Sequence, residues 1–208
     1  MLKSADFSWK RMRRSLKSRR NELDFRFFQE EIEILQKMED SGEVDLYYFD
    51  ETGINLTPSI PYAWQAKGVR TLIPTSKSQN ITILGFINRQ NKLYSYVFEG
   101  AANSKVVIEC MDRFCKEIDK KTILILDNAS IHKSNAMKIK RKEWEEKGLF
   151  LQFLPPYCPE LNLIELLWKF LKYYWIDIKA YASFSQLKDH VIEILEKVGT
   201  GKYQISFY

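Results

Sequence analysis

Nowhere in this chain of 208 residues does an apolar run approach the roughly 20 residues that a membrane-spanning helix requires, so no membrane role is expected. The N-terminus is basic but carries no apolar core followed by small residues; no secretory signal is recognisable, and a cytoplasmic protein is the expectation. Cysteine and histidine are too scarce for a zinc centre. Cys110, Cys115 and Cys158 form no CxxC pair, and there are only 2 histidines, so the cysteines are expected to be reduced packing residues. Glycine is sparse at 8 positions and there is no internal repeat or low-complexity stretch, whereas aromatic residues make up 14% of the chain. That is the composition of a globular protein with a sizeable core, about one domain plus an appendage in length.

Charge is unevenly spread. Residues 1–24 set Lys3, Lys10, Arg11, Arg13, Arg14, Lys17, Arg19 and Arg20 against Asp6, Glu22 and Asp24, an excess that equals the whole chain's formal net charge of +5 and leaves the remainder neutral. Trp9, Met12 and Leu16 recur at helical spacing in this arm, predicting a short helix with one apolar stripe and a cationic remainder. The pattern fits a solvated helix face or an arm that grips phosphates. In the second reading Lys10, Arg11, Arg13, Arg14, Lys17, Arg19 and Arg20 are candidate contacts to a nucleic-acid backbone.

Phe25, Phe28, Ile32, Leu35 and Met38 predict a second amphipathic helix over Phe25–Asp40, closed by Ser41-Gly42, as a linker or dimer-facing element. Residues 1–40 are accordingly assigned to a basic helical arm and linker, and 41–208 to the domain that carries the chemistry. Short strands follow over Val44–Asp50, Ile81–Ile87 and Leu93–Phe98, the last two joined as a hairpin by Asn88-Arg89-Gln90-Asn91. Next come a helix over Ser104–Lys120 with Ser104 as cap, a buried strand Ile123–Asp127, a charged surface helix Lys133–Lys147 ended by Gly148, and a strand Leu149–Leu154. Antiparallel strands followed by strand–helix–strand units define an α/β fold, a mixed sheet with helices on its faces.

Asp50 and Asp127 each stand where a predicted strand stops, a position that exposes a carboxylate on rigid backbone, although starting a turn explains an Asp there equally well. Glu165 follows Pro155-Pro156-Tyr157-Cys158-Pro159, a loop whose three prolines of fixed φ aim the start of a helix. Asn162-Leu163-Ile164-Glu165 also reads as a capping box with Asn162 as N-cap, which would account for the glutamate but not for the loop. Behind it Ile164, Leu167, Trp168, Leu171 and Trp175 form an apolar stripe that places Trp168 in the core. Three carboxylates brought by separate elements to one site fit a two-metal phosphoryl-transfer centre, because hard Mg²⁺ ions take oxygen ligands. Glu51 is expected to point away from the metals, since strand side chains alternate. His132 contacts a phosphate, positions a carboxylate or fills a loop, and Asn128 orients Asp127 or shapes the turn.

The segments Phe49-Asp50-Glu51-Thr52-Gly53, Leu126-Asp127-Asn128-Ala129-Ser130-Ile131-His132 and LPPYCPELNLIE from Leu154 to Glu165 resemble, in order, the three signature blocks of the mariner-like DDE transposases. The resemblance covers about residues 44–190 and is nearest to the bacterial insertion-sequence branch. It implies an RNase H-like fold in which the catalytic Asp50, Asp127 and Glu165 hold two Mg²⁺ ions, with Mn²⁺ as a possible substitute and Asp50 as the bridge. It further implies double-stranded DNA as substrate, at element ends and target, and a homodimer or pairing with full-length transposase. Cys158 stands where the family usually has Ser, and Leu163 where it has Pro; both alter the loop without touching the carboxylates. Such transposases normally begin with a helix-turn-helix region, of which Ser8-Trp9-Lys10-Arg11-Met12-Arg13 resembles only the tail. The expectation is a DNA endonuclease and strand transferase of cut-and-paste transposition. The alternative is a truncated, non-catalytic product that binds DNA or intact transposase and interferes with it.

Overall fold

The computed structural model describes residues 17–59, 67, 68, 72, 79–129, 132 and 134–207. The predicted helix through Trp9, Met12 and Leu16 and the cations Lys10, Arg11, Arg13 and Arg14 lie outside the described residues, as does the side chain of Lys17.

Helix α1 (Glu22–Asp40) starts three residues before the expected Phe25, because the Asn21 side chain accepts the N–H groups of Leu23 and Asp24 and so caps it. It ends where expected, with Gly42 in the left-handed region at φ 81°. Its inner face is no free linker surface. Ile32 is buried, Phe25, Phe28 and Leu35 pack on the core, and Arg89 from the turn after Ile87 binds both Glu39 and Asp40.

Five strands form one sheet among the described residues: β1 (Asp45–Asn55), β2 (Asn80–Ile87), β3 (Leu93–Glu99), β4 (Thr122–Leu126) and β5 (Leu149–Phe153), in the order β3-β2-β1-β4-β5. The β1-β2-β3 half is antiparallel, as the hairpin predicts, and β1-β4-β5 is parallel. Side chains alternate across this sheet. Tyr47, Phe49, Phe86 and Leu126 face a core closed by α2 (Ser104–Phe114) and α3 (Asn135–Glu146), while Leu46, Tyr48, Ile83 and Ile125 face one closed by α1, α4 (Ile164–Phe170) and α5 (Phe184–Glu196). Burial on both faces is why Leu46–Phe49 and Ile123–Leu126 read as unbroken apolar runs.

Two further expected boundaries move. Helix α2 stops at Phe114, not Lys120: the Lys116 and Glu117 N–H groups make tight turns onto the Arg113 and Phe114 carbonyls and swing the chain toward β4. Its cap is Asn103, whose extended backbone lets the side chain accept the Val106 N–H; Ser104 is already helical. Strand β1 runs on to Asn55 because β2 stays paired with it over that length. What ends at Asp50 is the pairing with β4, whose last rung is Phe49 with Leu126.

Candidate active site

Parallel pairing puts Asp50 and Asp127 side by side. Each is the next residue after the last β1–β4 rung, so both carboxylates stand at the same end of the sheet, where ligands of α/β proteins gather. Leaving β5, the chain crosses this end as the proline loop and makes a 3₁₀ turn at Pro159–Leu161 before α4 begins. The expected capping box does not form. The position before α4 is Leu163, with no side-chain cap, and the buried Asn162 instead donates its Nδ2–H to the Phe49 carbonyl at 3.0 Å. The physical reason is the end of β4: a β1 carbonyl at that level needs a donor, and Asn162 supplies one. The start of α4, and with it Glu165, is thereby fastened to the residue preceding Asp50.

Helix α4 holds Asp50 as well. The Trp168 indole N–H donates to Asp50 Oδ2 at 3.1 Å, so this core residue also has a polar task. The space it occupies is provided by Gly85, directly across from Asp50 on β2, where a Cβ would come within 2.7 Å of the Trp168 ring and 3.0 Å of Ile164. Asp127 Oδ1 accepts the Ala129 N–H at 3.0 Å, closing the turn after β4. On the other face of the sheet, buried His132 sets Nε2 at 3.3 Å from Asp127 Oδ1 and 3.4 Å from Glu51 Oε2. These are ion-pair distances without the alignment of a hydrogen bond, and the ring also packs edge-on to Phe49. Glu51 Oε2 thus reaches toward His132, while the residue also lines the cavity shared by Asp50, Glu165 and Trp168.

A cavity of about 370 Å³ is walled by Asp50, Asp127 and Glu165 together with Asn128, Asn162 and the proline loop. A second, of about 350 Å³, shares Asp50 and Glu165 and opens past Lys169, Lys172 and Tyr173. Lys172 and Tyr173 belong to a π-helical turn, Leu171–Trp175, that prolongs α4. No three His, Cys, Asp or Glu side chains among the described residues are gathered as a finished metal cluster. Five buried side-chain atoms among those residues lack a hydrogen-bond partner, and all belong to this site or its border: Glu51 Oε2, Asn128 Oδ1, Asn162 Oδ1 and both ring nitrogens of His132.

Charges here are under stress. Burial pushes the Asp50 carboxyl up to about 8, helped by the charges of Glu165, Glu51 and Asp127. Glu165 is raised by burial and by Asp127, with Lys172 opposing. The ammonium of Lys172 is lowered by burial, against the pull of Glu165 and Asp50. Asp127 is held down by the His132 ring beside it and by the Ala129 N–H, and His132 is raised to about 9 because Asp127 and Glu51 outweigh its burial.

Asp50, Asp127, Glu165, Asn128, His132 and Glu51 are therefore all brought to one end of the sheet. Of the arm, Arg19 is exposed, whereas Arg20 is occupied internally, paired with Glu22 at 2.6 Å and Glu160 at 3.5 Å and lying 4.0 Å from the Phe25 ring. Sequence reasoning missed Asn162, Gly85, Lys172 and the polar task of Trp168. Trp168, Lys169 and Lys172 do follow Glu165 at spacings of three, four and seven, one helix face, and that periodicity is the available signal. A glycine inside an apolar strand likewise signals a close approach.

A family described as DDE superfamily endonuclease matches residues 45–188. The chain belongs to that family. It is 30% identical over 175 residues to the insertion element IS630 uncharacterized 39 kDa protein of Shigella sonnei, a match covering 82% of this chain and 49% of that protein. Among solved structures it is similar to the Mos1 transposase in a paired-end complex with the left transposon end, with a TM-score of 0.63 and 16% identity over 94% of this chain and 61% of that one. It is also similar to the Mos1 mariner paired-end complex with Mn, with a TM-score of 0.61 and 17% identity over 94% and 61% of the two chains. The shared fold is RNase H-like. The chain spans about half the length of the curated relatives it matches, 49% of one and 46% of another.

Proposed function

We propose that this chain is a metal-dependent DNA transposase domain, an endonuclease and strand transferase that acts on double-stranded DNA at element ends and target in cut-and-paste transposition. The observation that carries this reading is the convergence of Asp50, Asp127 and Glu165 on one cavity at one end of the sheet. Two divalent ions, Mg²⁺ or Mn²⁺, suit that wall. Its ionic donors are all oxygens, as hard cations require, the buried acceptors around it lack partners, and Asp50 and Glu165 stand above their ordinary values because of burial and neighbouring carboxylates. When bound, such ions supply activation of a water or 3′-hydroxyl nucleophile and steady the leaving oxygen.

The chain's own residues fix the geometry. Asp50, which lines both cavities and is held by Trp168, would hold the ions together with Asp127, fixed by the Ala129 N–H and His132, and Glu165, set by the fastened start of α4. Lys172 adds a partly desolvated cation that opposes phosphate charge. Residues 1–40 serve as basic arm and linker, with α1 also sealing the sheet, and 41–208 as the DDE domain. Because the match covers only 49% of the IS630 protein, recognition of a specific DNA end falls to a further region or partner, either a second copy or a full-length transposase. Three buried free thiols support action in the reducing cytoplasm. No feature of the described site favours a non-catalytic product.

The test is cleavage of a labelled duplex with Mg²⁺ or Mn²⁺ and with chelator. Asp50→Ala, Asp127→Ala and Glu165→Ala should each abolish metal-dependent nicking with the circular dichroism retained, and full activity in Glu165→Ala would refute its role. Neutralising Lys10, Arg11, Arg13, Arg14, Lys17 and Arg19 should flatten the salt dependence of DNA binding by roughly one unit of slope for every phosphate no longer gripped.

A further inference from the structure

Two residues other than glycine hold a left-handed backbone among the described residues, Asn91 at φ 64° and Tyr157 at φ 62°. Asn91 is a residue type that tolerates this region, and its buried side chain pairs in both directions with the Ile205 backbone, at 2.9 and 2.8 Å. Tyr157 has no such return. The residue is 43% exposed, its ring makes no ring contact or hydrogen bond among the described residues, and it stands between Pro156 and Cys158 on the wall of the cavity that holds the three carboxylates. A strained backbone that holds an aromatic ring partly in water gains no hydrogen bond or ring contact within the described residues, and such strain collects where a ligand is clamped.

We propose that Tyr157 is a stacking platform for an unpaired nucleobase of the DNA strand held at the carboxylates, a proposal that rests on the DNA-cleaving reading above. The proline loop walls the same cavity as the carboxylates, so a strand end whose phosphodiester lies at them brings its last nucleotide, frayed from the duplex stack, against Tyr157. The cavity wall beside Tyr157 is made of Leu154, Pro155, Pro156 and Pro159, without a cation, and suits the face of a base. The other opening carries Lys169 and Lys172 and suits the phosphates. Stacking on an aromatic ring accepts any base, so the contact positions the strand end without reading sequence. Tyr157 is a positioning residue in this role.

The experiment uses the full chain and two DNAs, a duplex with a short 3′ overhang of thymidines and the same duplex with an abasic overhang of equal phosphate number. Tyr157→Gly removes the ring and relieves the backbone, so the variant should unfold at an equal or higher denaturant concentration. It should bind the thymidine overhang about tenfold more weakly than the parent, bind the abasic overhang equally well, and keep the same salt slope. Tyr157→Phe should match the parent on both DNAs. Equal binding of Tyr157→Gly and parent to the thymidine overhang, or an equal weakening on both DNAs, overturns the proposal. Metal-dependent nicking by the parent alongside either result leaves the DNA-cleaving reading standing, whereas a parent that neither binds nor nicks overturns both.

Discussion

Replacing Asp50 by Asn should stabilise the metal-free protein, and by an amount that depends on pH. The Asp50 carboxyl, ordinarily at 3.8, is pushed up to about 8 by burial and by Glu165, Glu51 and Asp127. A carboxyl raised in the folded state leaves stability intact below its ordinary value and removes it as pH climbs toward the folded value, because the unfolded chain releases the proton first. Each pH unit in that window is worth about 1.4 kcal/mol, so the charge costs on the order of 4 kcal/mol by pH 7, a large share of the ~5–15 kcal/mol that stabilises a typical domain. Asn keeps an oxygen for the Trp168 N–H and carries no charge. Urea unfolding in chelator should therefore show Asp50→Asn and parent nearly equal at about pH 4, with the variant ahead by a few kcal/mol at about pH 8. Taking the difference between the two curves cancels the titrating groups that do not interact with Asp50. Added Mn²⁺ should stabilise the parent at pH 7.5 and leave Asp50→Asn unmoved, since only the parent gains a ligand for its charge. Stability curves that run parallel from pH 4 to 8 would refute the reasoning, and with it the idea that folding stores electrostatic repulsion for a cation to relieve.

Gly85→Ala drives a methyl into the Trp168 ring, with an approach of 2.7 Å, and should cost about 1–3 kcal/mol in urea unfolding while weakening Mn²⁺ binding through the displaced indole. Asn162→Ala leaves the buried Phe49 carbonyl without its donor and should destabilise by about 1–3 kcal/mol; a cost no larger than that of an exposed Asn→Ala change would show that the fastening is dispensable. His132, raised from 6.5 to about 9 by Asp127 and Glu51 against its burial, contributes stability that is complete below about pH 6.5 and lost as pH rises through about 9. The deficit of His132→Gln should accordingly narrow between those values, and a constant deficit would mark the ring as packing alone.

Much of this protein is legible in its linear order of residues. Apolar runs and turn residues located all five strands, because strands buried on both faces are written as continuous Val, Ile, Leu and aromatic stretches whatever surrounds them. The carboxylates were legible for a related reason: each is an acidic residue placed against strongly apolar or proline-rich neighbours, a contrast that local sequence displays. What stayed undecided at that level depended on partners far along the chain. Asp50 read as the end of a strand, since nothing near it tells that β2, some thirty residues later, keeps β1 extended to Asn55 while β4 releases it at Phe49. Asn162 read as a helix cap because that is its best local partner, and only folding brings in a stronger claim, the Phe49 carbonyl 113 positions earlier. Trp168 read as core for the same cause. Its indole N–H finds Asp50 through a gap that Gly85 provides, and three residues from three elements meet there only in the tertiary structure. Local pattern fixes which residues are apolar, extended or helical; which buried polar atom satisfies which is settled by packing, because a hydrogen bond depends on distance in space and not on separation along the chain.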